Sequence, residues 1–312
     1  MSVADSQTLA LIVTNAGGEG KSTWAETLAA FGRLAGLEVV VADVDAGNRG
    51  YLNRNGDGSA LSLDWTPKSD DDGGAPADPA VWFDRHIAGS KLAILDTGAN
   101  MLAAANPISS FIGGLIQVAK SRGVRIIVYG VTSPHKPGSD ELVEAMYQRF
   151  HRAAEVVVVQ NDRDGSNAFA ASLGLLGTPI IRLPHLEPGL LALRLRRRIP
   201  LDEALTHPDP GYERATALIA HRLFVAAQQD AVVDVVGKGA AAALESLAAG
   251  RPATWYYRIT RLDQTTDAAL SANERRAKAW NCFRRVNRSE EARLLASAIE
   301  LLDANDGYDK YR

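Results

Sequence analysis

One stretch, Asn15-Ala16-Gly17-Gly18-Glu19-Gly20-Lys21-Ser22-Thr23, restricts the fold of this chain more than any other. An apolar run, Leu9-Ala10-Leu11-Ile12-Val13, leads into it and reads as a buried strand. Trp24-Ala25-Glu26-Thr27-Leu28-Ala29-Ala30-Phe31 leads out of it with apolar residues at helical spacing. Strand, glycine-rich turn, Gly-Lys-Ser and helix together are the setting in which a backbone loop cradles phosphate. Glycines let N–H groups turn inward around phosphate oxygens. The start of the helix adds partial positive charge. In such a loop Lys21 reaches the β- and γ-phosphates and the Ser22 hydroxyl ligates Mg²⁺. The predicted nucleotide-contacting set is therefore Gly17, Gly18, Glu19, Gly20, Lys21, Ser22 and Thr23. The first glycine of the usual spacing is replaced by Asn15.

Strand-like and helix-like runs alternate over the first two-thirds of the chain. Further strands are expected at 38–42, 92–95, 125–131, 155–159 and 178–184, and helices at 81–86, 108–121, 140–154 (with Ser139 as cap) and 212–230. The strand runs are continuously apolar, which means burial on both faces. The economical fold is then an α/β one, a mostly parallel sheet sandwiched by helices. Ligands of such sheets sit beyond the carboxyl ends of the strands, where Asn15, Asp43, Asp45, Asp96 and Asn161 fall. Residues 53–80, rich in Asn, Asp, Gly, Ser and Pro, read as a surface loop or insertion. Strands stop near residue 205. The expected organisation is a P-loop domain over 1–230 and a helical extension over 231–312, with helices at 240–249, 268–283 and 289–303, docked on the α/β domain or on a partner.

Composition removes several classes. The net charge of −3 gives no global attraction to nucleic acid or membrane. The single cysteine, Cys282, excludes a disulfide framework and a cysteine-ligated cluster within one chain. No apolar run approaches the roughly 20 residues of a membrane span, and the first residues lack a signal-peptide pattern. A cytoplasmic protein with no membrane partner is expected. The six histidines show no ligand spacing.

Asp43 and Asp45 end the second strand two residues apart, so in extended chain both carboxylates point one way. One would hold Mg²⁺ through water and the other orient the attacking water; the alternative is a pair of turn or cap residues. Asp96 ends an apolar strand, as the acid of a Walker B element does, and would bind Mg²⁺ through water. Asn161 ends another strand, where its amide matches an adenine edge or serves only the loop.

These elements resemble the ParA/MinD family of deviant Walker A ATPases. That family's loop, Lys-Gly-Gly-x-Gly-Lys-[Ser/Thr]-[Ser/Thr], is matched by Ala16-Gly17-Gly18-Glu19-Gly20-Lys21-Ser22-Thr23. Its Asp-x-Asp element with x-Gly-x-Arg is matched by Asp43-Val44-Asp45-Ala46-Gly47-Asn48-Arg49. Asp96-Thr97-Gly98-Ala99, Val131-Thr132-Ser133-Pro134 and Pro184 with Ile199-Pro200-Leu201 follow its later elements. The resemblance covers about residues 8–229. It implies ATP and Mg²⁺ as cofactors and Lys21 and Asp45 as catalytic residues. Ser22, Asp43 and Asp96 become metal-site residues, and Asn161 and Pro184 join the nucleotide-binding set. It also implies a nucleotide-dependent homodimer, and DNA or a DNA-bound adaptor as partner. The departure is Ala16, where the family carries a signature lysine that neutralises phosphate across the dimer; Glu19 adds an acid nearby. Weak hydrolysis is expected, or a trans charge supplied by Arg49 or Arg163. The expected role is a nucleotide switch in DNA or plasmid segregation, conjugation or positioning of a complex. A metabolic enzyme of the dethiobiotin-synthetase kind and a scaffold with little turnover are the alternatives. Arg194, Arg196, Arg197 and Arg198, and a basic segment at 251–288 bearing Trp255, Tyr256, Tyr257, Trp280 and Phe283, read either as a DNA-binding surface or as solvated helix faces.

Overall fold

The computed structural model describes residues 6–14, 17–45, 48–56, 58–62, 78–98, 107–134, 138–163, 165–169, 171–186, 194–195, 197–208 and 213–249. Asn15, Ala16, the helices expected at 268–283 and 289–303, and the basic segment 251–288 lie outside the described residues.

The strands are β1 (Thr8–Val13), β2 (Val39–Asp43), β3 (Leu61–Ser62), β4 (Leu92–Asp96), β5 (Arg125–Thr132), β6 (Glu155–Asn161) and β7 (Ile180–Leu183). The helices are α1 (Lys21–Leu34), α2 (Gly50–Asn55), α3 (Pro79–His86), α4 (Pro107–Ser121), α5 (Ser139–Phe150), α6 (Leu201–Thr206), α7 (Glu213–Ala227), α8 (Asp230–Val236) and α9 (Gly239–Ala249). One seven-stranded sheet runs in the order β3-β2-β4-β1-β5-β6-β7, and each neighbouring pair is parallel. This is the predicted α/β sandwich.

Strand pleating explains the continuous apolar runs. Ala10 and Ile12 of β1 enter one core with Ile94, Tyr129 and Val157, while Leu9, Leu11 and Val13 enter the other with Leu95, Val128 and Val158. Helices α1, α6, α7, α8 and α9 cover the first face through Leu28, Phe31, Leu205, Leu223, Val232 and Leu244. Helices α3, α4 and α5 cover the second through Trp82, Phe111, Leu115 and Val143. Burying each such side chain contributes about 1.5–3 kcal/mol. Two contacts fix α1 in depth. Trp24, fully buried, packs on Tyr129 with ring centroids 5.4 Å apart. At Gly32 a Cβ would lie 2.7 Å from Val39 Cγ2, so the helix rests directly on β2.

Several local expectations change. Gly138, not Ser139, stands at the N-cap of α5, with φ 81, and Ser139 is already helical. The segment expected as a loop, 53–80, begins within the last turn of α2 and includes the short strand β3, which pairs with β2 through Ala42↔Leu61 and Asp43↔Ser62; its residues 63–77 lie outside the described residues. Helix α3 begins earlier than predicted because Asp78 Oδ1 accepts from Ala80 N at 2.7 Å and Pro79 opens the helix. Helices α8 and α9 pack in the same core as α1. At the sheet edge, Gln229 Oε1 accepts from Arg182 N at 2.7 Å and its Nε2 donates to Arg182 O at 2.8 Å. No described helix is long and apolar enough to cross a membrane.

Candidate functional site

Sheet register assembles the site. Ile12 of β1 pairs with Asp96 of β4, and Asp96 pairs with Asp43 of β2, so three neighbouring strands end together. The chain leaves β1 and turns through Gly18 and Gly20, whose φ values of 87 and 96 suit glycine, to enter α1 at Lys21. Lys21 is buried. The first turn of α1 then stands over the ends of β2 and β4.

Ser22 Oγ donates to Asp96 Oδ2 at 2.6 Å. Asp96 is 1% exposed, and its Oδ1 is buried without a hydrogen-bond partner. Burial pushes its carboxyl up to about 7. The Ser22 hydroxyl works against that rise, the Asp43 charge adds to it, Lys21 opposes it and Glu26 adds to it. Asp43 is also buried, and desolvation raises its carboxyl above the ordinary range. Its Oδ2 accepts from Leu52 N at 3.0 Å and its Oδ1 from Asp45 N at 3.1 Å. Asp43 therefore ties α2 and the start of the following loop to the strand end. Asp45 Oδ1 accepts from Asn48 N at 3.2 Å, and a Cβ on Gly98 would approach that oxygen to 3.0 Å. A Cβ on Gly50 would collide with Ser22 Oγ. Sequence reasoning passed over Gly50, although it belongs to the same loop as Arg49.

Asn161 is brought to the loop rather than left at a remote strand end. Its Nδ2 donates to Glu19 O at 2.9 Å, and a Cβ on Gly20 would overlap that amide. Arg163, two residues on, donates from Nη1 to Gly18 O at 2.7 Å, so it engages its own chain's loop. Glu19 is 1% exposed: its side chain turns into the protein instead of standing at the loop tip. Thr23 O accepts from Thr27 Oγ1 at 2.8 Å within α1. Pro184 follows β7, separated from β1 by β5 and β6. Its neighbour His185 places Nδ1 2.7 Å from Arg163 O. Arg49 is exposed at the N-cap of α2 with φ 42.

Sequence reasoning also missed a buried charge cluster beside the site. Glu26, one turn beyond Ser22 on α1, is 3% exposed. Arg194 Nη2 donates to Glu26 Oε2 at 2.6 Å and Arg194 Nη1 to Asn55 Oδ1 at 3.1 Å. Asn55 Nδ2 donates to Glu26 Oε1 at 3.1 Å, and Arg54 Nε lies 2.5 Å from the same oxygen. Arg198 Nη2 donates to Leu52 O at 3.0 Å. Arg194 is thus an internal residue, not part of a basic surface. The signal available was a lone acid, Glu26, inside an apolar helical run.

No protein-family model matches the chain, and no curated protein matches it. The solved structures similar to it include three at low identity. The MinC:MinD cell division protein complex of Aquifex aeolicus aligns with 15% identity and a TM-score of 0.41, over 67% of this chain and 93% of that one. The septum site-determining protein MinD of Pyrococcus horikoshii, complexed with Mg-ADP, aligns with 14% identity and a TM-score of 0.46, over 73% and 98%. A nucleotide-binding protein of Archaeoglobus fulgidus in complex with ADP aligns with 13% identity and a TM-score of 0.39, over 65% and 89%.

Proposed function

We propose that the chain is a ParA/MinD-like ATP-binding protein whose nucleotide state acts as a switch in DNA or plasmid segregation, conjugation or the positioning of a cellular complex. The observation that carries this reading is the Ser22–Asp96 hydrogen bond of 2.6 Å at the foot of α1. It joins the Gly-Lys-Ser turn to a buried carboxylate whose second oxygen lacks a hydrogen-bond partner.

That donor set fits Mg²⁺ with a nucleotide. Hard oxygen ligands suit this ion, which keeps several waters when bound beside phosphates. Ser22 would hold the metal directly, with Asp43 and Asp96 acting through water; bound Mg²⁺ would neutralise phosphate charge. Gly17, Gly18, Glu19 and Gly20 would offer backbone N–H groups, Lys21 its ammonium and Thr23 its place in the first helical turn. Asp45, beside Gly98, would orient the attacking water. Asn161 and Pro184 would face the base side of the site. With Ala16 in place of a lysine, turnover is slow and the ATP-bound homodimer is weak. Surfaces outside the site would meet DNA or a DNA-bound adaptor. Ala16 also favours a second reading, a metabolic ATP-dependent enzyme of the dethiobiotin-synthetase kind, which does not use that lysine.

ATPase assays with and without DNA, and size measurements with ADP and with a nonhydrolysable ATP analogue, test the switch. DNA-stimulated turnover or ATP-dependent dimers are expected. Tight ATP binding by a monomer that neither turns over nor changes size would refute it. Lys21→Ala is expected to abolish binding, and unchanged binding would sink the loop assignment.

A further inference from the structure

We infer that Asn161 and Arg163 are positioning residues that fix the phosphate loop from the end of β6, an inference that rests on the nucleotide-binding reading above. Two successive carbonyls of the loop are held from this side. Arg163 Nη1 grips Gly18 O at 2.7 Å, and Asn161 Nδ2 grips Glu19 O at 2.9 Å. In a planar trans peptide the carbonyl and the following N–H point in opposite directions. Gripping Gly18 O therefore turns the Glu19 N–H away from β6, and gripping Glu19 O does the same for the Gly20 N–H. Adjacent N–H groups turned to one side are what an anion cradle requires. The same grip holds back two carbonyl oxygens that would repel phosphate.

The approach is built sterically as well. The Asn161 amide occupies the space that a Cβ on Gly20 would fill, so the glycine at this position admits the amide. Asn161 is 5% exposed and cannot swing freely, whereas Arg163 is exposed. Asn161 is thus the fixed anchor and Arg163 the outer latch. A cation also reaches the loop of this chain, where residue 16 is an alanine.

The test uses the full chain. Binding of methylanthraniloyl-ADP with Mg²⁺ is titrated for wild type, Arg163→Ala, Arg163→Lys and Lys21→Ala, alongside thermal melting. ¹⁵N amide spectra are recorded without nucleotide. Arg163→Ala is expected to bind about tenfold more weakly, with its melting temperature unchanged because the side chain is exposed. Arg163→Lys, which still donates to a carbonyl, restores part of the affinity. The Glu19 and Gly20 amide resonances move in Arg163→Ala even in the nucleotide-free chain. Wild-type affinity or unmoved Glu19 and Gly20 amides in Arg163→Ala overturn the inference. A wild type that binds no nucleotide overturns the reading beneath it, and the nucleotide-free amide shifts separate that failure from this one.

Discussion

Asp96 and Glu26 are both buried acids associated with α1, Asp96 through its hydrogen bond to Ser22 and Glu26 as a residue of the helix four positions after Ser22. Their surroundings differ. Glu26 receives Arg194, Arg54 and Asn55, so its charge is matched on both oxygens. Asp96 has a single hydroxyl on one oxygen, another buried acid beside it at Asp43, and a carboxyl pushed up to about 7. A fold that matches one acid fully keeps the other incompletely compensated, and the incomplete one lies beside the Gly-Lys-Ser turn. The first region holds α1, α2 and Arg194 together; the second leaves a buried acid with one oxygen lacking a hydrogen-bond partner beside the turn, where the proposed Mg²⁺ would sit.

The largest expected effect comes from breaking the matched region. Arg194→Ala leaves Glu26 buried without its most deeply buried cation and should cost about 3–5 kcal/mol, read from urea unfolding. Adding Glu26→Gln should recover part of that loss. If Arg194→Ala unfolds at the wild-type midpoint, the buried Glu26–Arg194 pair is not a stabilising element.

Asp96→Asn should act in the opposite direction. The folded carboxyl titrates near 7 against an ordinary 3.8, so the folded state holds the extra proton between those values. Stability of the ligand-free chain therefore falls as pH rises from about 4 to about 7, and the amide removes that fall. Asp96→Asn should gain about 2–4 kcal/mol over wild type at pH 8 and nothing at pH 4, measured by unfolding across that range. A difference independent of pH would show that Asp96 is not strained by its burial. Ser22→Ala removes the hydrogen bond to Asp96 and should cost about 1.5 kcal/mol at pH 8. Arg54→Ala sharpens the contrast at the small end. Its side chain is 31% exposed, so despite the short contact with Glu26 it should cost about 0.2–1 kcal/mol in the same assay.

Much of this architecture was legible in the residues. Buried parallel strands announce themselves by unbroken apolar runs, and Asp43, Asp96 and Asn161 stood out because each is polar at the end of such a run. What could not be read was adjacency across the sheet. The order that sets β4 between β1 and β2 brings Asp96 to both Ser22 and Asp43, and nothing local in the chain encodes it. The Glu26–Arg194 pair spans 168 positions and was invisible for the same reason. Arg194 lies in an arginine-rich run that looks like surface, and only tertiary burial distinguishes it from Arg197. The short strand β3 was hidden because two residues carry no periodicity.

The side chain of Gln229 has a consequence for how copies of this protein can meet. By taking both the N–H and the carbonyl of Arg182, it occupies the outward-facing backbone of β7 as a neighbouring strand would. The opposite border, β3, is two residues long. Among the described residues neither border offers a long template for strand addition, which guards the sheet against edge-to-edge aggregation. Were two copies of the chain to meet as proposed, helices and loops would have to supply the contact, and it could be made and released without opening the sheet.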